Sequence, residues 1–269
     1  MSVLEAVILG LVQGLTEFLP ISSSGHLVLA NHFFGFGEGG ESLELAVSIA
    51  TNTGTLLAVL LLLWRDVATA ASGFLRGLVS APARREEGWH LAQLVLVGSI
   101  PTAVVGLFLR EYFEVLNAPL PVAIGLAVTG LILWVTPGSG PKRHPRELGF
   151  RDALIGGLAQ GFAVIPGISR SGTTIATLMA RGGSGDLAAR FSFLLYLVVS
   201  TGVAFLGVFE VRAAQIPWPA VVAMIVASFV SGYLALRWLF SLLRRGRFRI
   251  FAPYLWLVAA LTLLSLWLG

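Results

Sequence analysis

The stretch Gln13-Gly14-Leu15-Thr16-Glu17-Phe18-Leu19-Pro20-Ile21-Ser22-Ser23-Ser24-Gly25-His26 decides how this chain is read, because it returns. At an offset of 147 positions stands Gln160-Gly161-Phe162-Ala163-Val164-Ile165-Pro166-Gly167-Ile168-Ser169-Arg170-Ser171-Gly172-Thr173. Without a gap, Gln13 faces Gln160, Gly14 faces Gly161, Ile21-Ser22 faces Ile168-Ser169, and Ser24-Gly25 faces Ser171-Gly172. Upstream, Ala6, Ile8, Gly10 and Leu11 face Ala153, Ile155, Gly157 and Leu158. The copies differ at the reactive residue types. Glu17, Ser23 and His26 in the first stand against Val164, Arg170 and Thr173 in the second. One copy brings an acid and an imidazole; the other brings a cation.

Of the 269 residues, 56% are hydrophobic and 12% charged, with a mean hydropathy of +0.86. A soluble domain carries about 25% charged residues, so this composition cannot cover a water-facing surface. It predicts an all-α integral membrane protein. No cysteine is present, which excludes disulfides, thiolate chemistry and cysteine-bound metals. The isoelectric point near 10.1 does not signal nucleic-acid binding, because the basic residues sit in loops beside apolar segments. Met1-Ser2-Val3-Leu4-Glu5 lacks the basic start of a cleaved signal peptide.

The apolar run 3–19 carries Gln13 and Glu17 and breaks at Pro20 and Ser22-Ser23-Ser24-Gly25 before a second piece to residue 36. Each piece is short for a span, which needs roughly 20 residues. A re-entrant pair over 3–36 is predicted, then spans over 43–64, 90–109 and 119–136. These make a first repeat, 1–136. A linker over 137–151 leads to the second repeat, 152–269, with a pair over 152–183 and spans over 187–208, 218–239 and 251–268. Three stretches read as basic loops: 65–89 with Arg65, Arg76, Arg84 and Arg85; 137–151 with Lys142, Arg143, Arg146 and Arg151; and 240–250 with Arg244, Arg245, Arg247 and Arg249. If both pairs return to their starting side, all three fall on one face, which the positive-inside rule makes cytoplasmic. The linkers 37–42 (Glu38, Glu41), 110–118 (Arg110, Glu111, Glu114) and 209–217 (Glu210, Arg212), and both termini, then lie outside. Three spans per repeat invert the second copy, and such folds place their site near the midplane, where the broken helices meet.

Ionisable groups within a membrane segment cost about 2.5–3.5 kcal/mol each, so Glu17 and Arg170 are the foremost functional candidates. A buried pair that merely fixes the repeat interface is the bland alternative. His26 stands beside three hydroxyls and can serve as base, acid or nucleophile. Each Ser-x-Ser-Gly turn leads into a helix whose free N–H groups and dipole suit an anion, and Arg170 adds a bidentate phosphate ligand. Gln13 and Gln160, and Asn52 and Thr53 in the first span, either line a cavity or pack helices. The Walker A spacing is absent.

These motifs resemble those of the undecaprenyl-diphosphate phosphatases, also called bacitracin-resistance proteins. Gln13-x-x-x-Glu17 with Ser22-Ser23-Ser24-Gly25-His26 is similar to the family's acidic motif. Pro166-Gly167-Ile168-Ser169-Arg170-Ser171-Gly172 is similar to its P-G-x-S-R-S-G motif, and the likeness covers essentially the whole chain. The resemblance implies a hydrolase of the bacterial plasma membrane that takes the terminal phosphate from undecaprenyl diphosphate, with its site open to the extracytoplasmic side. It implies Glu17, Ser23, His26 and Arg170 as catalytic residues, and Ser22, Ser24, Ser169, Ser171, Gly172 and Thr174 around the phosphate. The chain departs from the family at Gln13, where many members carry Glu, and at Asn52-Thr53-Gly54.

The chemistry expected is in-line attack on the terminal phosphorus. Ser23 serves as nucleophile with His26 as base, or those roles are exchanged, or water attacks directly. Glu17 orients His26, deprotonates water, or ligates a divalent cation, Mg²⁺ or Ca²⁺, bridging the diphosphate. The partners expected are the polyprenyl diphosphate and membrane lipids, with a homodimer left open and no nucleic acid. A polyprenyl-phosphate flippase is the rival reading, since inverted repeats also build transporters.

Overall fold

The computed structural model describes residues 1–35, 41–137, 147–213 and 216–268. Lys142, Arg143, Arg146 and Glu38 lie outside the described residues, as do the side chains of Glu41, Arg110, Glu114, Glu210 and Arg212. The described chain is helical throughout its regular structure. In order it forms α1 (Val3–Phe18), α2 (Ser23–Phe34), α3 (Glu41–Leu62), α4 (Trp64–Val79), α5 (Glu87–Leu109), one turn α6 (Phe113–Leu116) and α7 (Pro119–Val135). Then follow α8 (Phe150–Phe162), α9 (Arg170–Ala180), α10 (Gly185–Ala213), α11 (Trp218–Arg244) and α12 (Ala252–Leu268). Four stretches among the described residues are long and apolar enough to cross a membrane: Leu45–Leu62, Glu87–Leu109, Trp218–Arg244 and Phe248–Leu268. This is the all-α fold of a multi-pass membrane protein.

The helix ends follow from local chemistry. Ser2 caps α1 and exchanges hydrogen bonds with Glu5, satisfying two orphan N–H groups. Pro20 cannot continue α1, and Ser22 and Ser169 cap the helices that follow the two breaks. Gly35, at φ 65°, closes α2 in the left-handed conformation that glycine adopts without penalty.

The repeat noticed in the sequence has a packing cause. Gly10 and Gly14 bring α1 against α11, where a Cβ on Gly10 would lie 2.7 Å from the Met224 carbonyl oxygen and one on Gly14 2.5 Å from that of Ser228. Their matched partners do the same elsewhere. A Cβ on Gly157 would lie 2.0 Å from the Gly98 oxygen, and one on Gly161 2.7 Å from Val105 Cβ, where α8 meets α5. Small residues four apart let helix backbones approach closely, which is the main attraction available inside a membrane.

Two loops need correction. Most of 65–89 is the helix α4, which turns off α3 at Leu63 and seats Gly73 and Gly77 against Gly88 and Trp89. Its arginines made it read as a loop, but they ride on one flank of an amphipathic helix. Trp64, Ala68, Ala71, Leu75 and Leu78 form its exposed apolar stripe. The start of 240–250 is likewise the end of α11. Ion pairs tie these regions together: Arg190 on α10 bonds Asp66 of α4 at 2.7 Å and Asp186 at 2.7 Å, and Arg244 reaches Asp186 at 3.5 Å.

Candidate active site

The two breaks come together. Between α1 and α2, Ser22 adopts φ 69° and ψ 95°, a region that costs a non-glycine residue about 1–3 kcal/mol. Four contacts hold it there. Its Oγ accepts the N–H of Gly25 at 3.3 Å and, across the molecule, that of Gly167 at 3.1 Å. Its carbonyl accepts the His26 backbone N–H at 3.1 Å and faces His26 Nδ1 at 2.8 Å. On the other side Gly167 sits at φ 90°, with its would-be Cβ 2.3 Å from the Val122 carbonyl oxygen. Thr129 of α7 braces this second turn, donating to Gly167 O at 2.9 Å and accepting from Ser169 N at 3.1 Å.

At the junction the Glu17 carboxylate gathers three donors from different elements. Ser23 Oγ donates to Oε2 at 2.5 Å, Gln13 Nε2 donates to the same oxygen at 2.9 Å, and Arg170 Nη2 donates to Oε1. The Glu17 side chain is 3% exposed and that of Arg170 28%, so the acid is buried beneath the cation and the cation faces outward. The guanidinium also lies over the Tyr196 ring, 4.4 Å from its centre, and the Tyr196 hydroxyl pairs with Thr55 Oγ1 at 2.9 Å. Glu17, Phe18, Arg170, Ser171, Ser192, Phe193 and Tyr196 line a small cavity here.

The arrangement sorts the expected residues. Ser23 is bonded to Glu17, while His26 turns to the Tyr254 hydroxyl, 2.7 Å from its Nε2. The group bonded to the Ser23 hydroxyl is therefore the carboxylate and not the imidazole. Ser22, Ser169 and Ser171 spend their hydroxyls on the scaffold. Ser169 Oγ accepts from Gly172 N at 3.1 Å and lies 3.3 Å from Ser171 Oγ, which also donates to Leu19 O at 3.3 Å. Ser24 Oγ is 3.4 Å from Ser22 Oγ. The first turns of α2 and α9 still present N–H groups that lack an intrahelical acceptor. Gln13 reaches Asn52 at 3.1 Å, which brings α3 to the cluster. Thr53 instead bonds back to Ile49 O at 2.8 Å. Gln160 and Thr174 are fully buried, and their side-chain polar atoms have no hydrogen-bond partner.

The donor set does not fit a resident metal. Among the described residues no three His, Cys, Asp or Glu side chains converge, and both Glu17 oxygens are taken, one by a cation. A divalent ion would have to arrive on the oxygens of the substrate, with Glu17 as one ligand at most.

Sequence reasoning missed Tyr196, Tyr254, Thr129 and Ser192. An aromatic or hydroxyl within an apolar run reads as packing, and the available signal was only a polar tip.

Comparison with known proteins follows the same lines. The family model described as bacitracin resistance protein BacA matches residues 6–261. An undecaprenyl-diphosphatase of Acaryochloris marina is 60% identical over the full length of both chains. That of Desulforapulum autotrophicum is 40% identical over 98% of this chain and 99% of its own. That of Korarchaeum cryptofilum is 38% identical over 99% and 100%.

Proposed function

The chain belongs to the BacA bacitracin-resistance family, and from that premise we propose that it hydrolyses undecaprenyl diphosphate to undecaprenyl phosphate and inorganic phosphate. The product is the lipid carrier recycled in cell-wall synthesis, and its regeneration gives bacitracin resistance. The observation that carries the reading is the Ser23 hydroxyl bonded to Glu17 beneath an outward-facing Arg170.

In this mechanism Arg170 keeps one N–H on Glu17 and turns a free edge of its guanidinium to the terminal phosphate. The first-turn N–H groups of α2 and α9 take up the charge that grows on the equatorial oxygens. Ser23 Oγ attacks phosphorus as its proton passes to Glu17 Oε2. The bond to the bridging oxygen breaks, and undecaprenyl phosphate leaves. Water then attacks the phosphoserine, giving its proton to His26 once Nε2 has let go of Tyr254, while Glu17 returns the first proton to Ser23 Oγ and His26 sheds its own proton as the phosphate leaves. The sum consumes one water and releases one phosphate. Tyr196 keeps the guanidinium in place while its anionic partners change.

We also propose the inverted repeat, with each broken pair re-entrant, in the bacterial plasma membrane with termini and site extracytoplasmic. Helix length supports it. The broken helices have 16, 12, 13 and 11 residues, or about 16–24 Å at 1.5 Å per residue, against a hydrocarbon core about 30 Å thick. Reciprocal packing supports it too, since α1 lies on α11 as α8 lies on α5. Helix α4 carries Arg65, Asp66 and Arg76 and is too short and polar to span, so the count of spans is unchanged.

The test is phosphate release from polyprenyl diphosphate by the purified protein, with and without EDTA. Release that disappears in Glu17→Ala and Arg170→Ala proteins of wild-type fold is expected. No release, with polyprenyl phosphate moved across vesicles instead, would give the flippase reading the advantage.

A further inference from the structure

Helix α4 lies where two apolar spans end. It begins at Trp64, directly after the stretch Leu45–Leu62, and its inner face crosses the first turn of the next stretch, Glu87–Leu109. A Cβ on Gly73 or Gly77 would collide with Gly88 or Trp89 there, and Phe74 stacks on the Trp89 indole with planes 11° from parallel. With 16 residues and Arg65, Asp66 and Arg76 along it, α4 does not cross the hydrocarbon. Its place is along the membrane–water boundary.

The outer surface of α4 is divided to match. At 3.6 residues per turn, Trp64, Leu75, Leu78 and Val79 fall opposite the buried glycines, with Leu75 64% and Val79 87% exposed. Arg65, Thr69, Ser72 and Arg76 follow one another at helical spacing and form one exposed polar edge beside that stripe. A helix with such faces rests in the headgroup region, its apolar side sunk about 5–10 Å toward the acyl chains.

The charges choose the lipid. The acids of this region are taken: Asp66 accepts from Arg190 at 2.7 Å, Glu86 pairs with Arg76 at 2.8 Å, and Glu87 is engaged as well. Arg84 donates to Gly77 O at 2.7 Å and so caps the last turn of α4. Arg65 and Arg85 are exposed and have no carboxylate partner among the described residues. The Arg65 guanidinium lies instead over the Trp64 ring, 5.5 Å from its centre, where the polar edge meets the stripe. A cation at that junction is matched by a phosphodiester whose acyl chains continue onto the stripe.

We propose that α4 is an in-plane anchor that selects anionic phospholipid, holding headgroup phosphate on Arg65 and Arg85 and acyl chains along Trp64, Leu75, Leu78 and Val79. The proposal depends on neither the reaction nor the sidedness proposed above.

The chain has no cysteine, so a fluorophore on Leu78→Cys reports the lipid beside α4 without background. The purified full-length protein is placed in phosphatidylcholine nanodiscs, and quenching by spin-labelled phosphatidylglycerol is compared with quenching by spin-labelled phosphatidylcholine. Phosphatidylglycerol is expected to quench more, with a preference that falls as salt rises. Each arginine is expected to contribute about fivefold, so Arg65→Gln with Arg85→Gln should bring the two lipids close to equal. The double Lys variant keeps the charge and should keep most of the preference. A control label at Leu264→Cys on α12, which packs on α7, should not register these substitutions. Unchanged unfolding midpoints in neutral detergent show that the variants fold. Equal quenching by both lipids in the wild-type background overturns the selection of anionic lipid. A preference that survives both Gln substitutions overturns the role of the arginines. No quenching by either lipid means that protein covers the stripe, a second copy or another chain, and overturns the anchor.

Discussion

The turn that leads into α2 and the turn that leads into α9 come from matched sequence, yet they bear their strain differently. Both end on a serine that caps the helix through the N–H of a glycine three residues on, Gly25 in one and Gly172 in the other. In the second turn the cap is relaxed, with Ser169 at φ −74°, and the left-handed conformation falls on Gly167, which adopts it freely. In the first turn the positive φ falls on the serine itself. That choice aims the Ser22 carbonyl at His26 and its hydroxyl at Gly167. The turn that carries Arg170 is comfortable, whereas the turn beside the acid, the serine and the imidazole is held in place by force. Strain gathers where side chains must be aimed.

The division can be broken from either side. Ser23→Ala should abolish phosphate release, lowering kcat by about 10³-fold or more with little change in KM, because the serine is wanted only as the bond forms. Arg170→Lys keeps the charge and loses the fork. It should cost about 10²-fold in kcat/KM with a clear rise in KM, as befits the binding turn. Equal kcat and KM signatures for the two variants would erase the distinction. Gly167→Ala places a side chain at φ 90° and a methyl against the Val122 carbonyl. It should destabilise by about 2–3 kcal/mol, read as a lower thermal-unfolding midpoint. Ser22→Gly is the sharpest and smallest case. It relieves the backbone but surrenders the hydroxyl that ties the turns together, so the unfolding midpoint should hardly move while kcat falls about tenfold. A Ser22→Gly protein as active as wild type would mean that the strained conformation aims nothing.

Much of this was legible from the chain alone. The offset repeat follows from spacing, and Glu17 and Arg170 stand out because charge is costly in an apolar sequence, whereas Ser23 was singled out by the family resemblance and the close packing at Gly10, Gly14, Gly157 and Gly161 only by the structure. The pairing of the reactive residues left no mark. That Ser23 bonds Glu17, and His26 bonds Tyr254, depends on where helices lie in space and not on spacing along them. Tyr196 and Tyr254 resemble ordinary apolar-run aromatics until a cation and an imidazole are found beside them. Helix α4 was hidden for another reason: its arginines matched a loop signal, and only its stripe at helical spacing, Trp64 to Leu78, argued otherwise.

The bond from Ser22 to Gly167 and the pair of Glu17 with Arg170 span 145 and 153 positions of chain. Each half therefore finishes the other's pocket, as two subunits of a heterodimer would. Inherited change is coupled in the same way: a substitution at Gly167 is felt at Ser22, so the two turns must drift together or not at all. A gene cut between the halves would yield two silent fragments whose activity returns only by complementation.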